Sequence, residues 1–427
     1  MPVFSLSQNE RELLLDRFLR YVQVDTQSDD NAECFPTTEK QKDLARLLVE
    51  ELKSLGCSDA AMDQWGYVMA TVPSNLPQGH QAVPVIGLIA HLDTYPGVSG
   101  HAVKPQVLKD FKGGDVPLPG SGDAIPVAQN PNLQRCVGHT IVTSDGTTLL
   151  GADDKAGVAE ILTVVAWLKE HPEFLHGSVR IGFTPDEEVG RGTEHFDVAA
   201  FAANYAYTLD GSDLGEIEDE TFCADSATIT VIGHDVHPGY AKGKMVNAVR
   251  AASHIIESLP QDRLPETTEG REPYLHPIAF NGDVSKAEIK FLVRAFTEEE
   301  LRQREDVLRS IVDKTSGIFH GAKIDLTVKE SYRNMFYPIS KDPKVLEYAL
   351  DAVERQGIKP SRRPIRGGTD GARLSFMGLL TPNIFAGSQS YHSTHEWVSL
   401  DWMSRAVEVT LQILNVWVEK GQTDLKN

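Results

Sequence analysis

The sequence predicts an α/β protein: a sheet covered on both faces by helices, interrupted by an inserted ferredoxin-like α+β domain. Three observations predict it. Apolar runs of strand length alternate with longer amphipathic runs, the pattern of strands buried on both faces. The middle of the chain instead reads β-α-β-β-α-β, the split βαβ unit. Acids and histidines gather at the ends of the apolar runs, where open α/β sheets bind their ligands.

Taken in order, Leu14, Leu15, Phe18, Leu19 and Val22 fall at helical spacing behind a polar start at Ser7 and Asn9, so the chain opens with an amphipathic helix. A second helix is expected from about Glu39 to Leu55. Strands follow at Val83–Leu92, Thr147–Leu150, Val179–Phe183, Tyr205–Leu209 and Asn383–Phe385, with the helical run Ala156–Leu168 between the second and third. The insert reads strand Thr228–Ile232, helix Val246–Leu259, strands Tyr274–Asn281 and Lys286–Val293, helix Glu298–Thr315 and strand Lys323–Val328. Its loop Gln261–Pro273, rich in Glu, Thr, Pro and Gly, is expected to be exposed. The chain closes with the helix Trp402–Lys420. These elements divide it into a first domain in two pieces, 1–222 and 331–427, around an inserted domain, 223–330. Tyr95–Gly138, rich in Gly and Pro, is an irregular excursion that either serves the site or is a tolerated surface insertion.

Charge narrows the choice of partners. Across 427 residues, 41 Lys+Arg face 61 Asp+Glu for a formal charge of -20, which repels phosphate backbones and anionic membranes. No basic stripe overrides it, so neither nucleic acid nor membrane is expected as a partner. A composition of 41% hydrophobic and 24% charged residues excludes disordered and collagen-like classes. No segment approaches the roughly 18 unbroken apolar residues of a membrane span. Cys34, Cys57, Cys136 and Cys223 form no C-x-x-C, so neither a zinc knuckle nor a disulfide framework is signalled. The stretch Met1–Gln23, with charges scattered among its leucines, does not read as a secretion signal, and a cytoplasmic location is expected.

The chemistry lies at the strand ends. His91 and Asp93 end VPVIGLIAHLD, Asp153 and Asp154 close TLLGADD, Glu187 and Glu188 close VRIGFTPDEE, and Asp210 closes NYAYTLD. His392 in SYHSTHE follows PNIFAG closely enough to join them. Alone, each has an ordinary explanation: HxD as strand-end polarity, DD as a helix N-cap, EE as solvated charge, Asp before Gly as a turn former. Together, such carboxylates would repel one another and raise their pKa values unless cations compensate, and two divalent metals would do so. Imidazole and carboxylate donors suit zinc or a neighbouring first-row ion. Adjacent Glu187 and Glu188 point in opposite directions near a strand end, so one can bind metal while the other addresses water.

As an ordered set, HLDT, GADDKAG, PDEEVG, TLDG, GGTDGARLSFMG and YHSTHE, with VHPGYAKGKMVNA in the insert, resemble the two-zinc exopeptidases and deacylases. Within that family the set is most similar to the tripeptide aminopeptidases of the peptidase T branch. The resemblance implies a zinc-exopeptidase-like mixed sheet flanked by helices, with the insert as lid and dimerisation domain of a homodimer. It implies that Asp153 bridges two Zn2+ ions, with His91 and Asp210 on one and Glu188 and His392 on the other; Co2+ or Mn2+ are possible substitutes. Asp93 would orient His91, and Glu187 would be the general base for a water activated by the two metals. His237, Asn247, Arg294 and Arg366 are the implied substrate contacts, the arginines because a planar guanidinium fits a carboxylate. Gly367, Gly368 and Gly371 would supply backbone freedom beside the site.

The implied activity is hydrolysis of the N-terminal bond of short peptides, most of all tripeptides. The alternatives are a deacylase or dipeptidase on the same scaffold, or a non-catalytic peptide-binding relative. Two departures stand out. The chain reads His392-Ser393-Thr394-His395-Glu396 where relatives read HGKHE, and Tyr95 follows HLDT where a small residue is usual. His395 rivals His392, and His392 is preferred because relatives place their ligand four residues before the glutamate.

Overall fold

The computed structural model describes residues 3–78 and 83–424, the side chains of 422–424 excepted. It divides into two units: Met1–Asp219 with Tyr337–Arg363 and Thr369–Asn427, and Glu220–Phe336 with Pro364–Gly368. The second unit is therefore wider than the 223–330 read from the sequence. It takes in the first residues after the last insert strand, and also a short return segment that sequence periodicity could not assign.

In the first unit, the opening helix Gln8–Val22 is fixed by a capping box in which the Ser7 side chain accepts from the Glu10 backbone and the Glu10 side chain accepts from Ser7. The second helix, Gln41–Ser54, lies inside the range expected. An eight-stranded mixed sheet runs in the order Ala61–Met62, Val68–Val72, Val179–Thr184, Ile86–His91, Tyr205–Gly211, Asn383–Phe385, Glu216–Glu218, Ser361–Arg362. The central strands, Val179–Thr184, Ile86–His91, Tyr205–Gly211 and Asn383–Phe385, are parallel. Ile86–His91 is buried along its whole length, as a central strand covered on both faces must be. It starts later than Val83: the Val85 N–H donates to the Asn204 side chain, and the Val85 carbonyl accepts the Asn204 and Tyr205 N–H groups.

Helix Ala152–Glu170 packs on strands Ile86–His91 and Tyr205–Gly211 and against helices Gln8–Val22 and Leu400–Asp424. It is apolar nearly all round, from Val158 through Leu168, and accordingly buried on all sides. A Cβ at Gly157 would overlap the Leu209 carbonyl oxygen, so glycine is what lets helix and strand approach.

The expected strand at Thr147–Leu150 is not formed. The strand lies earlier, at Ile141–Thr143, in a small sheet ordered Ser388–Gln389, Trp397–Ser399, Ile141–Thr143, Gln106–Leu108. Thr147 donates its backbone N–H to the Asp145 side chain, Gly146 takes a positive φ, and Leu150 donates to Glu396. These polar claims on the backbone outweigh the apolar character of the segment.

The second unit has the ferredoxin-like topology expected. Its antiparallel sheet is ordered Tyr274–Gly282, Lys286–Ala295, Cys223–Ile232, Lys323–Tyr332, and it carries helices Ala248–Glu257 and Glu298–Ile318. Ala227, Ile229 and Val231 alternate with half-exposed neighbours along the central strand, which places one face against the helices. The Gln261–Pro273 loop is largely exposed, as its composition predicts.

Candidate metal centre and active site

Register brings the first unit's chemistry together. His91 pairs with Thr184 and Ile89 with Thr208 across parallel strands, so the loop after Thr184, the end of Ile86–His91 and Asp210 leave the sheet at one edge. His91 Nε2 lies 3.0 Å from Asp153 Oδ1 and 3.7 Å from Asp210 Oδ1. His392 Nε2 lies 2.7 Å from Glu188 Oε2 and 3.3 Å from Asp153 Oδ2. The two oxygens of Asp153 thus face two different histidines. Ligand atoms of His91, Asp153 and Glu188 converge within 4.8 Å, and so do those of His91, Asp154 and Asp210. One Glu188 oxygen is buried without a hydrogen-bond partner, which a cation would supply.

Asp93 is fully buried. Its Oδ1 accepts the Glu187 N–H at 2.9 Å and its Oδ2 the Glu188 N–H at 3.1 Å. His91 Nδ1 lies 3.0 Å from the Asp93 carbonyl oxygen and 3.4 Å from Oδ1. Asp93 therefore steers His91 mainly through its backbone, while its carboxylate holds the glutamate loop.

The electrostatics describe a site built for positive charge. Burial, then the charges of Asp370, Glu188 and Asp93, raise Glu187 well above the ordinary carboxyl range. Burial and the Asp153 charge push Glu188 up to about 7, and burial with Asp154 and Asp153 raises Asp210. Against burial, hydrogen bonds to Asp153 and Glu188 push His392 up to about 10, and contacts with Asp153 and Asp93 raise His91. The same histidines overcome burial to lower Asp153. Carboxyls that resist ionisation beside imidazoles that hold protons mark donors competing for cations.

Several contributors were not assigned from sequence. Glu396, almost fully buried, accepts N–H groups from Leu150, Gly151 and Asp153 at 2.8, 2.7 and 3.0 Å, pinning the backbone that presents Asp153. Asp154 caps the helix that follows it, its carboxylate accepting the Gly157 N–H three residues on, and the same carboxylate accepts the His91 N–H from the neighbouring strand end. Asp186 accepts from Thr37 and Gln41, anchoring the turn before Glu187. For Asp186 adjacency to Glu187 was the only sequence signal, because its partners Thr37 and Gln41 are remote in the chain, whereas Asp154 carried the sequence signal of a helix N-cap. His395 Nε2 lies 2.9 Å from Asp123 and is occupied there, which leaves His392 as the imidazole facing Asp153.

The nominated substrate residues all fall in the second unit. His237 begins a short 3-10 turn and accepts the Gly239 N–H. Asn247 is the N-cap of Ala248–Glu257, its side chain accepting from Arg250. Arg294 donates to the Asp225 and Val293 carbonyls, and Arg366 donates to the Gly270 and Glu272 carbonyls while lying over Phe222 and Tyr274. Gly368 and Gly371 have no positive φ. A Cβ would meet the Tyr332 ring at Gly368 and the Thr381 carbonyl at Gly371, so close approach, not backbone freedom, is what they provide.

Sequence comparison agrees with this architecture. Residues 123–416 match Peptidase family M20/M25/M40, and the chain belongs to that family. Among its relatives is the peptidase T of Geobacillus thermodenitrificans, 44% identical over 96% of this chain and 99% of the relative. The peptidase T of Brevibacillus brevis is 47% identical over 96% and 99%. Among solved structures, a Staphylococcus aureus tripeptidase superposes with a TM-score of 0.77 at 22% identity over 96% and 99% of the two chains. The aminopeptidase PepT of Bacillus cereus superposes at 0.73 and 24% identity over 96% and 99%. Among the described residues, no helix is long and apolar enough to cross a membrane.

Proposed function

We propose that this chain is a two-zinc aminopeptidase that releases the N-terminal residue of short peptides, tripeptides above all. The observation that carries the reading is Asp153, one carboxylate with Oδ1 toward His91 and Oδ2 toward His392. In this reading His91, Asp153 and Asp210 hold one ion, and Glu188, Asp153 and His392 the other. The donor types suit zinc, with Co2+ or Mn2+ as substitutes. A Bacillus subtilis neighbour with a TM-score of 0.63, described as a dinuclear metal-binding peptidase, supports the count of two. When bound, the metals polarise the scissile carbonyl and acidify the attacking water.

The remaining work falls to side chains. Glu187 takes the proton from the attacking water and passes it to the departing amine; burial among carboxylates holds its pKa well above the ordinary carboxyl range. Asp93 fixes Glu187 and Glu188 by their backbone N–H groups. Its carbonyl favours the His91 tautomer with the proton on Nδ1, leaving Nε2 as donor to the metal. Family resemblance assigns His237, Asn247, Arg294 and Arg366 to substrate contact, and assigns the second unit to the lid and to pairing of two copies. A cytoplasmic location is supported by four cysteines that stand as free thiols. Relatives of the peptidase T type favour a peptide over an acylated amine as substrate.

The test separates base from ligand. Glu187→Gln should retain about two metal equivalents by elemental analysis yet lose roughly 10²–10⁴-fold in turnover. Asp153→Ala should lose metal as well. Equal metal loss in both variants removes the base assignment.

A further inference from the structure

We infer that Tyr95 is a positioning residue for His392, holding that imidazole by a face-to-face stack before any metal arrives. The inference rests on the reading of His392 as a metal ligand. The two rings lie 4.2 Å apart, centroid to centroid, with planes inclined by 6°. His392 needs such support. It sits on a loop with φ 60, and its side chain is 39% exposed, whereas the other nominated imidazole, His91, is 3% exposed and extends from a central strand. An exposed ligand on a loop loses rotamer freedom when it binds, and a ring already held in place avoids part of that cost.

Tyr95 is itself held firmly. The Gln27 side-chain amide donates toward the carbonyls of Tyr95, Pro96 and Val98 at 3.3, 3.0 and 2.8 Å, tying down the segment that carries the ring. The ring lies directly over Gly97: a Cβ there would fall 2.7 Å from Cζ and 2.8 Å from the hydroxyl oxygen. Glycine at 97 is thus what allows the aromatic ring to lie flat against its own loop. Tyr95 also follows Asp93 by two positions, so one strand end carries the anchor of Glu188 and the platform of His392. The ring then has a physical role: it restrains one face of an exposed imidazole whose Nε2 faces Glu188 and Asp153.

The experiment uses the full chain with Tyr95→Ala, Tyr95→Phe and Gly97→Ala, titrated with zinc in competition with a chromogenic chelator. Tyr95→Ala should weaken one of two zinc affinities roughly tenfold, the usual scale for removing an outer partner of a ligand, and leave the other unchanged. Tyr95→Phe should restore it, because the ring and not the hydroxyl makes the stack. Gly97→Ala, which displaces the ring without removing it, should reproduce the Tyr95→Ala loss. Far-ultraviolet circular dichroism checks that each variant is folded. Unchanged affinities at both sites in folded Tyr95→Ala and Gly97→Ala would overturn the inference, and so would failure of Tyr95→Phe to restore binding. His392→Ala distinguishes the underlying reading: if it leaves both zinc sites intact, His392 is not a ligand, and the failure belongs to the ligand assignment.

Discussion

Both oxygens of Asp93 accept backbone N–H groups of the glutamates that follow a neighbouring strand, and this is what couples the strand end at His91 to the Glu187–Glu188 loop. Asp93→Asn would turn one of those acceptors into a donor facing a buried N–H. The expected result is a 10–100-fold loss of activity with weaker metal binding, read by steady-state kinetics and metal titration. At this scale the sequence was most informative about residues at or just beyond a strand end: His91, Asp93, Glu187, Glu188 and Asp210 leave the sheet at one edge, whereas Asp153 comes from the start of helix Ala152–Glu170, since no strand forms at Thr147–Leu150. It was silent on Glu396, whose partners Leu150, Gly151 and Asp153 lie more than two hundred positions away in the chain. Local pattern cannot encode a contact of that separation.

Among the elements, the helices that were read lie within a few residues of their observed bounds, because capping and 3.6-residue periodicity are local, but Lys344–Arg355 and Asp370–Phe376 were missed. The strand at Thr147–Leu150 failed because an apolar run says nothing of where its backbone groups find partners. Those partners are Asp145 and Glu396, and the segment forms a cradle where a strand was expected. Glu396→Ala should therefore destabilise the first unit by about 3 kcal/mol, since it leaves buried N–H groups unpaired. Urea denaturation of the metal-free protein would read this as a lower midpoint; an unchanged midpoint would mean that the cradle does not support Asp153. The excursion after Tyr95, ambiguous in sequence, reaches the His392 loop: Asp123 meets His395, and Asn130 accepts from Ser390 and Trp397.

The whole molecule links stability, protons and metal. Burial raises Glu188 and Glu396 to about 7 and Asp370 to about 6, so the folded metal-free protein keeps protons that the unfolded chain has released. That contribution to stability is lost as pH rises from the ordinary carboxyl range through 7. His392, raised to about 10 by Asp153 and Glu188 against burial, adds stability that is fully present below its ordinary 6.5 and is lost as pH rises toward 10. Both act in the same direction. Chelated protein should melt at a lower temperature near pH 8 than near pH 5.5. With zinc in excess the order should reverse, because ligands must be deprotonated to bind. Differential scanning calorimetry at the two pH values, with and without metal, checks it. At this scale the sequence made the inserted topology legible, through the change in element order, but not the return of Pro364–Gly368 to the second unit.

The central claim is removal of an N-terminal residue by metal-dependent hydrolysis, and the most direct test is turnover of free, N-acetylated and C-amidated tripeptides by zinc-loaded and chelator-treated protein, with products followed by mass. The account predicts release of the N-terminal residue from the free tripeptide, abolished by the chelator and restored by zinc. Cleavage of the acetylated substrate in its place, or turnover that survives complete metal removal, would contradict it.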